Sequence, residues 1–333
     1  MKALIVTEGG RDVGFGHVMR CVALSQAFEE KGISPELIIN GDETIGDLLK
    51  ETEHRVFNWL KDENELLACI KKADTIIIDS YLAGLDVYEK IAEAVEWPVY
   101  IDDNKRLDFP RGVVVNGSIF AERLGYPEKN GVDHLLGTRY ALLRRMFWNI
   151  PEKPITDGVS KVLLTFGGND KRNIAPKVLR MLGENYPHII KNVVVGKAYL
   201  NQDQIRKAAD MNTNLIYSPD SQKMADLVYE SDIAITAAGQ SLYELARTGS
   251  AVVAVAIADN QLNNARGWRE AGFIEYAGWW EDEDMFSNLL NGLKALSDRA
   301  IRESRSDIGR RYVDGQGARR VVELILRPNR SCV

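Results

Sequence analysis

The chain has 333 residues, of which 45% are hydrophobic and 27% charged. A chain of this length is too long to fold around one hydrophobic core, so two domains of about 150 residues are expected. A formal net charge of −6, without a basic run that contains aromatic residues, argues against nucleic acid as a partner. Three cysteines without metal-ligand spacing, a strand-like N-terminal sequence and the lack of an apolar run of about 20 residues predict a reduced, cytoplasmic protein without stable membrane insertion.

The first part of the chain alternates short apolar runs with amphipathic, helix-like segments. The apolar runs predict strands at residues 3–6, 36–39, 75–79, 99–102 and 113–116. This alternation predicts an α/β domain over residues 1–150, with a parallel sheet covered by helices on both faces. Polar residues end three of these strands, at Asp79, Asp102-Asp103 and Asn116. Since ligands bind at the carboxyl ends of such strands, these residues mark the expected site edge.

The segment that follows the first predicted strand carries the first candidate site. A loop from Thr7 to Gly16 leads into a helix whose apolar positions, from Val18 onward, recur at helical spacing. Gly14 and Gly16 let the backbone approach a ligand closely, and the free N–H groups of a helix start favour an anion. His17 is therefore a candidate general base, and the helix dipole would favour its neutral form. The alternative is that His17 only caps the helix or bonds a neighbouring backbone group.

Residues 149–160 predict a linker, because they contain two prolines and a glycine with few apolar residues. A second α/β domain is expected over residues 151–333, with strands at 161–166, 192–195, 214–217, 233–236 and 251–256. The charged segment 300–326 has a helical pattern and is expected to pack back on the first domain.

Two loops of the second domain carry site chemistry. Gly168 and Asn169 follow a strand, where a Gly-Gly turn lets backbone N–H groups approach a phosphate or sugar. Further along, small residues lead into a helix, and the N–H groups of Gln240 and Ser241 suit a diphosphate without a lysine or a metal. Glu244 would lie near a bound ribose, or would be the capping-box partner of Ser241.

The amides of Asn260 and Gln261 suit sugar hydroxyls, although an N-cap by Asp259 or Asn260 is equally consistent with the sequence. The histidines outside the first loop have no carboxylate or cysteine at ligand spacing, so no metal site is expected. The chain also lacks a Walker motif and the dinucleotide G-x-G-x-x-G spacing, and no cofactor is expected.

Eight landmarks occur in an order that resembles one known family, and together they span nearly the whole chain. They are Gly14 to His17 with Arg20, then residues 78–81, 101–103, 115–116, 137–144, 166–170, 238–244 and Asn260-Gln261. The chain is similar to the hydrolases of the pseudaminic acid pathway, which remove UDP from UDP-2,4-diacetamido-2,4,6-trideoxy-β-L-altropyranose, and to the related spore-coat polysaccharide proteins. The resemblance implies two Rossmann-like domains in a GT-B architecture with an interdomain cleft.

The resemblance also implies roles for individual residues. His17 would activate water, which attacks the anomeric carbon from the face opposite UDP and inverts it, while Tyr81 holds the sugar or the water. Gln240 and Ser241 would hold the diphosphate and Glu244 the ribose. The other matched positions are expected to bind the UDP-sugar substrate: Gly14, Gly16, Arg20, Asp103, Asn116, Gly168, Asn169, Asn260 and Gln261.

Two other functions remain open at this point. In a glycosyltransferase, His17 would deprotonate an acceptor hydroxyl instead of water. The lack of an obvious apolar and basic patch in the first domain favours water. In a nucleotide-sugar binding module without catalysis, His17 would be dispensable.

Overall fold

The computed structural model describes residues 1–49 and 52–327, and these form two compact α/β units. The first unit comprises Met1–Trp148 and the chain from Gly315 onward, and the second comprises Asn149–Asp314. Within the described ranges, no helix combines the length and the apolar composition needed to cross a membrane.

The first unit contains a seven-stranded sheet in which each strand runs parallel to its neighbours. Its elements are β1 Ala3–Gly9, α1 Gly16–Glu30, β2 Glu36–Gly41, β3 His54–Val56, α2 Glu63–Ile70, β4 Thr75–Asp79, α3 Leu85–Ala94, β5 Val99–Ile101, β6 Gly112–Asn116 and β7 Val132–Leu136. The strand order is β3-β2-β1-β4-β5-β6-β7. The strands after β1 are added on one side of it up to β3, and those from β4 onward are added on its other side. The point of reversal lies between β1 and β4, where Thr7 lies opposite Asp79. Loops that leave the carboxyl ends of two such strands border a crevice, which is the usual ligand position in this fold class.

The second unit has the same design around a six-stranded parallel sheet. Its elements are β8 Lys161–Thr165, α4 Ala175–Asn185, β9 Ile190–Val195, α5 Gln202–Ala208, β10 Thr213–Tyr217, α6 Ser221–Glu230, β11 Ile233–Ala237, α7 Ser241–Thr248, β12 Ala251–Ala256, α8 Leu262–Glu270, β13 Ile274–Trp279, α9 Met285–Ala295 and α10 Arg299–Tyr312. The strand order β10-β9-β8-β11-β12-β13 reverses between β8 and β11. The loops that follow these two strands border the second crevice.

The charged C-terminal segment forms two helices rather than one continuous helix. The chain leaves α10 at Val313 and passes through Gly315, whose φ of +81° suits a residue without a Cβ. It then forms α11, Gly317–Ile325. The apolar side of α11 shares a buried cluster with Val18 and Cys21 of α1. The last helix is thus part of the first unit.

Three strands that the sequence pattern does not predict lie at sheet edges. They are β3 and β7 at the two edges of the first sheet and β13 at one edge of the second. The residues of β3 are exposed and those of β7 half-buried. Because an edge strand has less apolar surface to bury, it lacks the continuous apolar run that reveals a central strand.

The first strand is longer than expected. The sequence predicts a loop from Thr7, whereas β1 continues to Gly9 and all seven of its residues are buried. The strand therefore carries the carboxylate of Glu8 into the interior, at the carboxyl end of the sheet. The polar character of Thr7 and Glu8 hides this extension from a reading based on hydrophobicity.

Candidate active site

The first unit places the imidazole of His17 against a buried carboxylate. His17 is the second residue of α1 and is 6% exposed. Its Nδ1 lies 2.6 Å from Oδ1 of Asp79, the last residue of β4, which is fully buried. An ionised carboxylate oxygen can only accept, so this contact places the proton on Nδ1 and leaves the lone pair on Nε2, the tautomer that a general base needs. Arg20 Nη2 lies 2.9 Å from the same Nδ1, and in this tautomer it donates to Asp79 Oδ1 instead. The alternative, that His17 only caps the helix, does not fit, because Phe15 is the N-cap residue and, among the described residues, no side chain caps this end.

Arg20, one turn along α1 from His17, joins two carboxylates. Its Nε donates to Asp79 Oδ2 at 2.9 Å and its Nη2 to Asp79 Oδ1 at 2.8 Å, a bidentate pair. Its Nη1 donates to Asp103 Oδ2 at 2.8 Å. Its guanidinium thus organises the carboxylates around His17, and the contact of Arg20 with substrate stays a prediction.

The charge of Asp79 is held by these neighbours. Burial by itself would raise the pKa of the Asp79 carboxyl, but Arg20 and then His17 lower it, and the net direction is downward. Asp79 therefore stays ionised beside the imidazole. An ionised carboxylate at this place stabilises the imidazolium that forms when His17 takes a proton.

Tyr81 lies beside the same histidine. Its ring meets that of His17 edge to face, with centroids 4.5 Å apart and an interplanar angle of 83°. Its hydroxyl donates to Asp103 Oδ1 and accepts a hydrogen bond from Asn104 Nδ2 at 3.2 Å. The predicted residues His17, Arg20, Tyr81 and Asp103 are therefore brought together with Asp79, which was expected at this edge, and with Asn104, which the structure adds.

Asn116 belongs to a separate polar cluster of the first unit. It is fully buried, its Nδ2 donates to the Tyr126 hydroxyl at 3.0 Å, and its Oδ1 accepts from Ser118 N at 2.9 Å. Tyr126 in turn donates to Asp102 Oδ2 at 2.6 Å. Both ends of the Asn116 amide thus fix the loop that follows β6, and Tyr126 links that loop to the one after β5.

The two glycines before His17 differ in their constraints. Gly14 has a φ of +91°, a conformation that favours glycine. A Cβ built on Gly16 meets no described atom within 4 Å, so open space lies next to it. The backbone beside His17 is accessible to a ligand at Gly16.

In the second unit, the loop after β8 is held by backbone contacts and by a capping carboxylate. A Cβ added at Gly196 would overlap the carbonyl oxygen of Gly168, so the two backbones meet closely. Asp170 accepts from the N–H groups of Ile174 and Ala175, both at 3.0 Å, at the start of α4. Gly168 and Asn169 are thereby fixed at the carboxyl edge of the sheet.

The other loop of the second crevice leads into α7. Gln240 occupies the N-cap position and Ser241 is the first helical residue. Ser241 is therefore one position too far along for the capping box with Glu244 that its spacing suggested. Glu244 lies in the first turn of the helix and is 8% exposed.

One amide supports this loop, and another supports the loop that follows β12. Asn264 Nδ2 donates to Ala238 O at 2.8 Å, and Gln261 Oε1 accepts from Ile257 N at 3.0 Å. Gln261, rather than Asp259 or Asn260, is the N-cap residue of α8. Asn260 lies in the short 3₁₀ turn just before it and is exposed.

Sequence reasoning placed Asp79 at the expected site edge without naming its partner, and it assigned no role to Glu8 or Asn264. Asp79 and Glu8 both lie at the carboxyl ends of strands, and that position was the available signal. Their pairing with residues far along the chain depends on the strand order, which a single sequence does not reveal. In the parts of the chain that the structure describes, no group of three or more His, Cys, Asp or Glu side chains is arranged to hold a metal ion.

Several curated proteins resemble this chain, although no protein-family profile matches it. The spore coat polysaccharide biosynthesis protein SpsG of Bacillus subtilis is 24% identical over 339 residues, which cover 98% of each chain. The UDP-2,4-diacetamido-2,4,6-trideoxy-β-L-altropyranose hydrolase of Campylobacter jejuni is 22% identical over 286 residues, which cover 83% of this chain and 99% of that protein.

Protein MJ1062 of Methanocaldococcus jannaschii is 28% identical over 269 residues, or 76% of this chain, and the match covers 55% of MJ1062. The chain thus spans about half the length of that relative. The resemblance predicted from the sequence motifs, to the hydrolases and to SpsG, is confirmed by these relatives.

Solved structures resemble the whole chain. The complex of S. aureus MnaA with UDP has a TM-score of 0.69 at 14% identity and covers 100% of this chain and 99% of its own. MurG of Acinetobacter baumannii has a TM-score of 0.61 at 17% identity, and the match covers 98% of this chain and 99% of MurG. At these identities the likeness shows the fold alone, and it confirms the predicted GT-B class with two parallel-sheet units.

Proposed function

We propose that this chain, a relative of the UDP-2,4-diacetamido-2,4,6-trideoxy-β-L-altropyranose hydrolases and of SpsG, hydrolyses a UDP-activated amino sugar. The anomeric C–O bond breaks with inversion and releases UDP and the free sugar. The reaction belongs to the biosynthesis of nonulosonic acids of the pseudaminic type, or of a surface polysaccharide. The polysaccharide setting follows from the name of SpsG, and the pseudaminic setting follows from the resemblance of the sequence motifs.

The observation that carries this proposal is the contact between His17 Nδ1 and Asp79. Among the described residues, His17 Nε2 forms no hydrogen bond, so it is available to water. Nε2 takes a proton from the water as the water oxygen attacks the anomeric carbon. The electron pair of the broken C–O bond leaves with UDP, and Asp79 stabilises the imidazolium.

The second unit supplies the leaving-group site in this proposal. The N–H groups at the start of α7, at Gln240 and Ser241, bind the diphosphate together with the helix dipole. Charge develops on the departing UDP, and fixed donors lower the barrier most where charge grows. Glu244, one turn into the helix, accepts the hydroxyl groups of the ribose.

The first unit supplies the sugar contacts. Tyr81 and Asp103, with Arg20 and Asn104 around them, present hydroxyl, carboxylate and amide groups at the carboxyl edge of the sheet. The accessible backbone at Gly14 and Gly16 completes this side. These groups suit a sugar with hydroxyl and acetamido substituents.

Transfer of the sugar to an acceptor hydroxyl is a second candidate. Leu82 is 54% exposed and Leu85 is 37% exposed, both just after Tyr81, and exposed leucines there would suit an apolar acceptor. In that case His17 would deprotonate the acceptor, with the same donor site. Free sugar formed in the absence of any acceptor favours hydrolysis.

The proposal is tested by His17→Asn in an assay of UDP release from a panel of UDP-sugars. We expect a loss of roughly 10²- to 10⁴-fold in turnover, the usual contribution of a general base, with UDP affinity retained. His54→Asn, an exposed histidine of the same unit, is the matched control. Unchanged turnover in His17→Asn would remove the base from the mechanism.

The bond that breaks is identified in H₂¹⁸O. Attack at the anomeric carbon places the label in the free sugar, and NMR of the first anomer formed reports inversion. Label in UDP would instead indicate attack at phosphorus and contradict the proposal.

A further inference from the structure

Glu8 is a buried carboxylate that the proposed chemistry leaves without a role. It is the penultimate residue of β1 and has no exposed surface. Among the residues described, it forms no ion pair. A buried carboxylate without a cation is costly unless hydrogen bonds replace its hydration, so its contacts reveal what it does.

The hydrogen bonds of the Glu8 side chain go to the turn that follows β4. Oε1 accepts from Tyr81 N at 2.6 Å and from Leu82 N at 3.2 Å, while Oε2 accepts from the Ser80 hydroxyl at 2.5 Å. The Ser80 oxygen itself accepts from Leu82 N and Ala83 N at 3.1 and 3.0 Å, so its proton is directed at Glu8. One carboxylate thereby fixes three consecutive residues of the turn.

The residue at the centre of this turn is Tyr81. Its backbone N–H is bound by Glu8, and its ring stands 4.5 Å from the ring of His17. The position of the Tyr81 ring against the imidazole therefore depends on Glu8. Asp79 at the end of β4 precedes Ser80, so the carboxylate partner of His17 adjoins the same turn.

We infer that Glu8 is a positioning residue. It sets the geometry of His17 and Tyr81 through the turn that follows β4, and it does not touch the substrate. This inference rests on the proposed function of His17. A turn that needed only packing would be held at lower cost by an amide or an apolar side chain. The carboxylate is required because three donors converge on it, which an amide with one acceptor oxygen does not satisfy.

The decisive variant is Glu8→Gln, which keeps the shape and replaces one acceptor oxygen with a donor. We expect kcat for UDP-sugar hydrolysis to fall roughly tenfold to a hundredfold, because small misplacements of a reacting group have effects of this size. The affinity for UDP, measured by calorimetry, remains within about twofold, since UDP is assigned to the other unit. Glu8→Asp keeps the charge but loses reach, and it is expected to behave like Glu8→Gln.

Glu36→Gln is the matched control. Glu36 is the first residue of β2, at the opposite end of the same sheet, and it pairs with Arg55. Loss of that carboxylate is expected to leave kcat unchanged. Equal losses of kcat in Glu8→Gln and Glu36→Gln would show a general effect of removing a carboxylate and would overturn the inference.

NMR of the histidine side chains separates this inference from the proposed function. The chain has four histidines, and the His17 signal is identified by its loss in His17→Asn. Glu8→Gln is expected to displace the His17 signal while the signal of His188 stays in place. An unchanged His17 signal in folded Glu8→Gln would overturn the inference, whether or not the wild-type protein hydrolyses a UDP-sugar.

Ser80→Ala is the second variant, which removes one donor and leaves the two backbone contacts of Glu8. It is expected to displace the His17 signal in the same direction by a smaller amount. If Glu8→Gln does not fold, this variant decides, because a His17 signal that does not move would overturn the inference. Wild-type protein that binds UDP but releases no UDP from UDP-sugars would refute the proposed function and would leave the inference about Glu8 standing.

Discussion

Arg20 donates to both carboxylate oxygens of Asp79, from Nε at 2.9 Å and from Nη2 at 2.8 Å. The arginine therefore fixes the plane of the carboxylate that receives Nδ1 of His17 at 2.6 Å. Because Arg20 and His17 lie one turn apart on α1, a single helix presents both groups to the end of β4. The orientation of the proposed base is set by this short helical spacing.

Asp79→Asn tests that orientation. An asparagine amide in this place can donate toward Nδ1, which would hold the imidazole in the wrong tautomer. We expect kcat to fall by roughly 10³- to 10⁴-fold, as in other carboxylate–histidine pairs, with UDP affinity unchanged. Asp108→Asn, an exposed aspartate of the same unit, serves as the control. A kcat for Asp79→Asn within a factor of two of the wild type would show that this contact is not used in catalysis.

Glu244→Ala is expected to weaken UDP binding with little change in the chemical step. The loss of hydrogen bonds between a charged carboxylate and the two ribose hydroxyls corresponds to roughly a tenfold increase in Kd or more. Calorimetry with UDP measures it, and Glu283→Ala, at an exposed position of the same unit, is the comparison. Equal affinities in the two variants would assign the ribose to another residue.

Turnover is expected to persist in EDTA. In the proposed site, the N–H groups and dipole of α7 meet the charge of the diphosphate. The measurement is UDP release before and after exhaustive chelation, followed by addition of Mg²⁺ or Mn²⁺. Activity that disappears with EDTA and returns with either ion would show that the leaving group needs a cation.

The central strands and the first helix were predictable because each buries a continuous or periodic apolar surface. Helix α1 follows its apolar spacing from Val18 onward, and β4 was predicted with its observed bounds. The edge strands β3, β7 and β13 were not, since their residues are partly exposed. The break between α10 and α11 was missed because charged residues continue on both sides of Gly315.

The site was predictable in its residue types but not in its pairings. His17 was indicated by its place after a glycine loop at a helix start. Its partner Asp79 is 62 positions away, and the two meet because β1 and β4 are neighbours in the sheet. Glu8 escaped notice for a related reason, since its contacts to Tyr81 cross between the same two strands.

Lys153 offers a test of stability against pH in the second unit. It lies in the segment predicted as a linker and is 6% exposed. Its ammonium group donates to the carbonyl oxygens of Val228 and Ser231 and to the Ser250 hydroxyl. Burial lowers the pKa of Lys153 to about 8. The folded protein therefore favours the neutral amine more than the unfolded chain does, whose lysines titrate near 10.4.

The sign of the effect follows from the order in which the two states lose their protons. Below about pH 8 both states are protonated and the cost of the buried charge is fully present. Between about pH 8 and 10.4 the folded state releases its proton first, so the free energy of unfolding rises with pH, by roughly 3 kcal/mol in total. Urea unfolding measures the free energy of unfolding at pH 7 and at pH 9.5. From pH 7 to pH 9.5 this free energy should rise by roughly 2 kcal/mol more in the wild type than in Lys153→Met. Lys161→Met, at a more exposed lysine of the same unit, is the control and should show the same change in unfolding free energy with pH as the wild type. The same pH dependence in Lys153→Met and in the wild type would contradict the lowered pKa of Lys153.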